Sequence, residues 1–173
     1  LAGSAERGFV DSRGEAARFY DPMGIADGPD GRIYVADCTN NSIRRVDRQG
    51  NVTTVAGGGP VDRIEDLQTI DGDLAAARFN GPNSVAIASD GTIYVGEKGG
   101  MRQIREGIVS TLYQSEGCVY GMTLDEATGQ LYFTEGNRIF TVAVPTRKER
   151  LQVRLAPILR LSSLVRQERA AMI

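Results

Sequence analysis

Residues 9–37 read FVDSRGEAARFYDPMGIADGPDGRIYVAD, and residues 69–97 read TIDGDLAAARFNGPNSVAIASDGTIYVGE. The two stretches align at an offset of 60 positions without a gap. Both contain the run AARF, a proline three residues after it, and a DG dipeptide followed one residue later by IYV. So dense a match does not arise by chance, and the chain therefore contains an internal repeat.

The repeat continues past these stretches with small gaps. Residues 43–46 (IRRV) correspond to 101–104 (MRQI), and residues 52–55 (VTTV) correspond to 109–112 (VSTL). A third and weaker copy follows in three pieces, 119–124, 128–135 and 137–142. This copy lacks the AARF run, the proline and the Asp-Gly loop, so it is a divergent unit.

Each copy divides into short strands rich in Ile, Val, Tyr and Thr, separated by turn residues such as PDG and RQG. In the first copy the predicted strands are about 22–26, 32–37, 42–46 and 52–56. A four-stranded antiparallel unit of this kind is typical of a β-propeller blade, whose two faces are covered by neighbouring blades. The sequence therefore predicts an all-β fold, a partial β-propeller of four-stranded antiparallel blades with a short C-terminal helix.

The combined motifs resemble the NHL repeat. The resemblance rests on the AARF run, PMGIA, the DGRIYVAD run, NSIRRV and GNVTT, and on their counterparts in the second copy. It covers residues 1–113 strongly and residues 114–142 weakly. The resemblance implies a propeller, typically six-bladed, that binds proteins, RNA or small ligands.

The domain boundaries follow from the repeat. We expect a propeller segment over 1–156, with blades at about 1–56, 57–113 and 114–156. Leu1-Ala2-Gly3 aligns with Val55-Ala56-Gly57, the end of an outermost strand, so the chain is expected to begin inside a preceding blade. Known propellers close with four to eight blades. We therefore expect the remaining blades to come from sequence outside this chain, with a second chain as the alternative source.

The C-terminal part carries a different pattern. Residues 151–155 alternate apolar and polar positions, which is typical of an outer strand. Beyond Pro157 the spacing of apolar residues predicts a basic amphipathic helix over 157–173. Residues 147–173 hold 7 Lys/Arg and 2 Asp/Glu. A helix that caps the last blade is favoured over a basic helix that contacts an anionic membrane or an acidic partner.

The composition excludes several kinds of functional site and partner. The chain has no histidine, which excludes His-dependent acid–base catalysis, Ser–His and Cys–His pairs and His-ligated metals. Cys38 and Cys118 are too few for a disulfide framework, and we expect two free thiols. Residues 1–146 carry a net charge of −7, which argues against nucleic acid as a partner of the blades. No apolar run reaches the length of a transmembrane helix.

Three sets of residues are weighed as sites. Acidic residues recur after the second strand, at Asp37, Glu97 and Glu135. They suit a ring of ligands for a cation, but carboxylates bound to turn N–H groups or to a neighbouring Arg are the favoured interpretation. A basic stripe and an acidic loop are the other two candidate sites. For the stripe, strand arginines paired with nearby carboxylates are the favoured interpretation, and for the acidic set a loop exposed to solvent is favoured. The residues of these last two sets are Arg44, Arg45, Arg102, Asp62, Glu65, Asp66, Asp71 and Asp73.

Some propellers are enzymes, and those that resemble gluconolactonase or regucalcin hold a central metal with Glu, Asn and Asp. The conceivable ligands here are Asn83, Glu97, Asp125 and Asn137, although their spacing does not single them out. We therefore predict a non-catalytic binding or scaffold module that presents a propeller surface to a protein or small ligand. The alternative is a fragment of a metal-dependent propeller hydrolase. The prediction includes no catalytic residue, no metal site and no cofactor, and the sequence indicates neither a ligand nor a cellular location.

Overall fold

The computed structural model describes residues 1–59 and 68–149, and the strands within them account for nearly all of the regular structure. A single turn of 3₁₀ helix, Gly14–Ala16, precedes the first strand. The strands are β1 (Pro22–Asp27), β2 (Ile33–Asp37), β3 (Ser42–Val46), β4 (Val52–Ala56), β5 (Gly72–Asp73), β6 (Ser84–Ile87), β7 (Ile93–Arg105), β8 (Ile108–Asp125), β9 (Gln130–Glu135) and β10 (Arg138–Ala143).

The first blade consists of β1 to β4, which form an antiparallel sheet in the order β1-β2-β3-β4. These strands agree within one residue with those predicted from the sequence. Their turns use the expected chemistry, because Asp30 Oδ1 accepts the Arg32 N–H at 3.1 Å and Gly31 adopts φ of +73°. The local turn signals are therefore sufficient to fix this meander of hairpins.

The second and third blades are joined in one six-stranded sheet, in which five strands follow the order β10-β9-β8-β7-β6 and β5 pairs with the start of β8. β7 covers residues that form two separate strands in the first blade, because Lys98 and Gly100 pair with Cys118 and Gln114 of β8. β8 in turn serves two blades. Its residues up to Cys118 pair with β7, and those from Val119 onward pair with β9.

The first two blades pack through a shared apolar core. Ala36, Ile43 and Ala56 of the first blade meet Phe79 and Val85 of the second. The inner strands approach closely, since a Cβ built on Gly24 would lie 2.7 Å from both Asn83 O and Ser84 Cα. Phe79, the phenylalanine of the second AARF run, therefore packs between these two blades.

A second core lies between the second and third blades. Tyr94 and Met101 of the second blade contact Val119, Leu131 and Phe133 of the third. The second blade thus packs one face against the first blade and the other against the third, as stacked propeller blades do. The all-β, propeller-type fold predicted from the sequence is confirmed.

The first blade exposes one of its faces. Met23 and Ile25 on β1 are 59% and 71% exposed, and they border an apolar groove of about 310 Å³ floored by Val35 and Val46. Val85, which occupies the position of Ile25 in the second copy, is only 6% exposed. The groove on the first blade therefore corresponds, in the repeat, to the surface of the second blade that the first blade covers.

Some predictions lie outside the described residues. They are the outer strand at 151–155, the helix at 157–173 and the loop acids Asp62, Glu65 and Asp66. The division into blades at about 1–56, 57–113 and 114–156 likewise stays a prediction. Within the described part of the chain, no helix is long and apolar enough to cross a membrane.

Candidate functional site at the carboxylate end

Three acidic residues lie at the same end of the three blades, which we call the carboxylate end. Asp37 ends β2 and pairs in register with Pro22 and Ser42, the first residues of β1 and β3. Glu135 ends β9 in the same way, between Val119 and Arg138. Glu97 holds the corresponding place in the second blade. This is the end where the recurrent carboxylates could meet a ligand.

In the first blade, Asp37 is fully buried and its carboxylate is already engaged. Oδ1 accepts the Tyr20 N–H at 2.8 Å. Oδ2 accepts bonds from Asn40 Nδ2 at 2.8 Å and from Arg44 at 2.7 Å. A buried carboxylate with this many donors holds the sheet and its adjoining turn together, and it presents no oxygen to solvent.

Arg44 is buried to the same degree and binds several partners at once. Besides Asp37, it donates to the Val10 and Arg18 carbonyl oxygens at 3.0 and 3.1 Å and to Asp11 at 2.6 Å. Its guanidinium carbon lies 5.1 Å from the centre of the Phe19 ring. Arg44, which lies on β3, thereby holds the long loop before β1 against the blade.

The second blade repeats this network. Arg102 donates to Glu97 at 3.2 Å, to Asp71 and to the Arg78 carbonyl oxygen, with its guanidinium 5.7 Å from the Phe79 ring centre. Burial raises the pKa of Glu97 from 4.5 to about 7, although the Asn80 N–H and Arg102 oppose the rise. The favoured structural interpretation of Asp37 and Glu97 agrees with this geometry.

The sequence alone did not reveal that Asp11 and Asp71 take part in these arginine networks. Each binds the buried Arg of its blade and also accepts the backbone N–H of the outer strand, from Thr54 at 2.9 Å and Thr111 at 3.1 Å. The signal was present, because Asp11 and Asp71 are identical positions of the repeat. A recurring aspartate far from the recurring arginine in sequence was the clue to their contact.

Two of the three arginines suggested for a basic stripe do not reach solvent. The side chains of Arg44 and Arg102 are at most 1% exposed, and their charges are committed to the carboxylates described above. Arg45 points to the other face of β3, beside Tyr34, whose pKa is raised chiefly by burial. The three arginines therefore form no continuous surface for phosphate groups.

The four conceivable metal ligands are not brought together. Asn83, Glu97 and Asn137 lie toward the carboxylate end, but Asp125 is at the opposite end, paired with Gln130. Asp125 there accepts N–H bonds from Ala127 and Thr128 within a turn. In residues 1–59 and 68–149, no group of three or more His, Cys, Asp or Glu side chains is arranged to hold a metal ion.

The two cysteines are free thiols, as expected, and both are partly exposed. They flank Asn83, whose Oδ1 accepts from the Cys38 thiol at 3.6 Å and whose Nδ2 donates to Cys118 at 2.8 Å. Burial raises the pKa of both thiols. This chain of three side chains links the first, second and third blades at the carboxylate end, and the raised pKa values keep the thiols protonated.

Glu135 is in a different environment from Asp37 and Glu97. Its carboxylate accepts a bond from the Tyr113 hydroxyl at 3.3 Å, and no arginine of the described residues is bound to it. It borders an open cleft of about 360 Å³ beside Phe140. The third blade therefore keeps the recurrent acid and leaves it partly exposed beside this cleft.

Residues 19–46 match the family model described as the NHL repeat. The chain contains an NHL repeat. This match covers β1 to β3 and includes both Asp37 and Arg44, so the buried pair lies within the recognised repeat. The resemblance noted from the sequence motifs is confirmed for this part of the chain.

Among curated proteins, the chain is similar to teneurin-3 of Danio rerio, with 34% identity over 82 residues. The match covers 42% of this chain and 3% of teneurin-3, so the chain spans a small part of that relative.

Two solved structures share the fold at low identity. A protein of unknown function from Bacteroides thetaiotaomicron has 23% identity and a TM-score of 0.56, over 66% of this chain and 32% of that one. A gluconolactonase from Xanthomonas campestris has 18% identity and a TM-score of 0.54, over 75% of this chain and 39% of that one. At such identities the likeness establishes the shared propeller fold.

Proposed function

We propose that the chain is a non-catalytic binding module, which uses the carboxylate end of its blades to hold a protein or small-molecule ligand. The observation that carries the proposal is the commitment of the repeated charges to the scaffold. Asp37 and Arg44 are buried against each other, and so are Glu97 and Arg102. Groups buried and engaged in this way build a rigid support and are not accessible to a substrate.

The remaining groups at the carboxylate end favour binding over catalysis. They include neutral thiols, an amide, aromatic side chains and the partly exposed carboxylate of Glu135. A nucleophile or general base requires a partner that activates it, and the raised pKa values of Cys38 and Cys118 oppose thiolate formation. Loops held on a rigid scaffold are the usual place for ligand contacts.

The metal-dependent hydrolase is the rival function, and a direct assay separates the two. The purified chain is incubated with simple lactones in the presence of Ca²⁺ or Zn²⁺, and the hydrolysis rate is compared with that of buffer containing the same metal. We expect equal rates. Turnover above buffer that is lost in Asn83→Ala would establish the hydrolase instead, because Asn83 is one of the two buried candidate ligands at the carboxylate end.

Site-specific cross-linking tests the binding surface itself. Tyr120 begins the inner strand of the third blade at the carboxylate end and is 58% exposed, whereas Ile108 begins an outer strand at the opposite end and is 52% exposed. Either residue is replaced by photoreactive benzoylphenylalanine, and the protein is irradiated in extract of the source cells. We expect discrete adducts from position 120 only. Equal adducts from both positions, or none from either, would contradict the proposal.

A further inference from the structure

The cleft beside Glu135 differs from the corresponding place in the other two blades. In the first blade, Val35 pairs in register with Arg44, and in the third blade Phe133 pairs with Phe140. Phe140 thus stands at the strand position from which Arg44 reaches Asp37. The acid of the repeat is present in the third blade, but the residue that would bind it has been replaced by an aromatic ring.

The covering loop is also different. In the first two blades, the segment before the inner strand lies over the acid–arginine pair and supplies carbonyl oxygens from Arg18 and Arg78. In the third blade, β8 passes without interruption from the outer strand of the second blade into the inner strand of the third. Among the described residues no such loop covers Glu135, so the place that a guanidinium occupies in the other blades opens into the cleft.

The lining of the cleft suits a planar organic cation. One wall is Glu135 with the Tyr113 hydroxyl on its carboxylate. Gly117 lies against the same carboxylate, where a Cβ would clash with it. The Phe140 ring borders the cleft and stacks on Phe133, with centroids 5.5 Å apart and planes inclined by 21°. A carboxylate beside an aromatic face is the pair of groups that holds Arg44 and Arg102 inside this same chain.

We propose that this cleft binds the guanidinium group of an arginine side chain supplied by a protein partner. The inference rests on the proposed binding function and names the chemistry of its ligand. Arginine is expected over lysine because a planar guanidinium can bond to a carboxylate through two N–H groups while stacking on a ring. The cleft lies between the second and third blades, so the stacking of a further blade on the outer face of the third leaves it open.

Arg138 also lines the cleft, and its charge opposes that of the ligand. It is the residue paired with Glu135 across the β9–β10 hairpin, yet no ion pair joins the two side chains in the described structure. Replacing Arg138 by a neutral residue should therefore strengthen binding of a cation. A gain in affinity on loss of the Arg138 charge distinguishes an electrostatic site from a nonspecific apolar cleft.

The experiment is a titration of the isotope-labelled chain with acetyl-Gly-Arg-Gly-amide, followed by the NMR shifts of the Gly117 and Gly136 amides. We expect saturable shifts, at least about tenfold weaker binding by Glu135→Gln, and about threefold tighter binding by Arg138→Gln, since charge-assisted bonds dominate such contacts. The lysine peptide should bind more weakly than the arginine peptide. Glu116→Gln, an exposed acid on β8, serves as the matched control and should bind like the parent chain.

A second variant keeps the test decisive if Glu135→Gln perturbs folding. Phe140→Arg restores the arginine that the first two blades carry, and its side chain should occupy the cleft and abolish peptide binding in a folded protein. Binding by Glu135→Gln or Phe140→Arg within twofold of the parent would overturn the inference. If the peptide fails to bind while cross-linking from position 120 persists, the arginine site is wrong and the binding function stands. If neither peptide binding nor cross-linking from position 120 is observed, the arginine site and the binding function are both wrong.

Discussion

At the scale of single residues, one recurring acid has two different environments. Asp37 and Glu97 are buried against an arginine, whereas Glu135 faces a cleft with a tyrosine hydroxyl. The sequence showed the recurrence but could not show these partners. Arg44 lies seven residues after Asp37 and Arg102 only five after Glu97, so no constant spacing connects acid to base. Their contact depends on the pairing of neighbouring strands.

The raised pKa of Glu97 predicts a pH-dependent stability. The folded chain keeps this proton up to a pH of about 7, while the unfolded chain loses it near 4.5. The free energy of unfolding should therefore fall as pH rises from about 4.5 to about 7, by no more than about 3–4 kcal/mol at about 1.4 kcal/mol per pKa unit. Urea unfolding of the parent and of Glu97→Gln across this range measures the effect.

In Glu97→Gln the decline over this range should be absent, because the glutamine side chain does not titrate. Glu116→Gln, at an exposed position, should retain the decline of the parent. The aspartates with lowered pKa values, Asp30, Asp47, Asp71 and Asp125, act at lower pH and do not contribute within this range. Parallel curves for parent and Glu97→Gln would refute the assignment.

At the scale of elements, the first blade was predictable strand by strand because turn residues separate its strands. The strands of the second and third blades were less predictable. In the first blade residues 38–41 separate β2 from β3, whereas Lys98–Gly100 at the corresponding place pairs with β8 and becomes part of one long strand. A glycine-rich stretch thus satisfies its backbone groups through a distant strand, which no local pattern reveals.

Gly24 provides a test of how the inner strands pack. An added Cβ would meet the backbone of Asn83 and Ser84 at 2.7 Å, and backbone cannot move aside as a flexible side chain can. Gly24→Ala should therefore destabilise the chain by about 1–3 kcal/mol, as overpacked substitutions do. Gly121→Ala is the matched control, since Gly121 also lies on an inner strand but has its nearest atom at 3.4 Å. Urea unfolding that shows equal losses for the two would contradict the observed packing.

At the scale of the whole molecule, blades stack with a constant polarity, and the first blade exposes the face that the second buries. The repeat itself made this stacking predictable, since a four-stranded unit with two apolar faces needs neighbours. The site was less predictable. Sequence comparison identified Glu135 as a member of the acidic set, but its exposure follows from Phe140 and from the missing loop, which become visible only in the sheet register.

Substitutions at repeat-equivalent positions test the stacking. Val85→Ala should cost about 2 kcal/mol or more, because Val85 is buried between the first two blades. Ile25→Ala should cost less than about 0.5 kcal/mol in the isolated chain, although isoleucine loses more atoms, because Ile25 is 71% exposed. The measurement is the midpoint of urea unfolding at low protein concentration. A larger loss for Ile25→Ala would mean that the groove is covered in solution.

The central claim is that two blades use their carboxylate as scaffold and the third leaves it for a ligand. The most direct test is the free energy of urea unfolding at pH 8 for Asp37→Asn and Glu135→Gln. We predict a loss of about 3–5 kcal/mol for Asp37→Asn, which leaves Arg44 buried without its main partner. For Glu135→Gln we predict a loss below about 1 kcal/mol, since one hydrogen bond from Tyr113 is at stake. Equal and large losses for the two variants would contradict the claim.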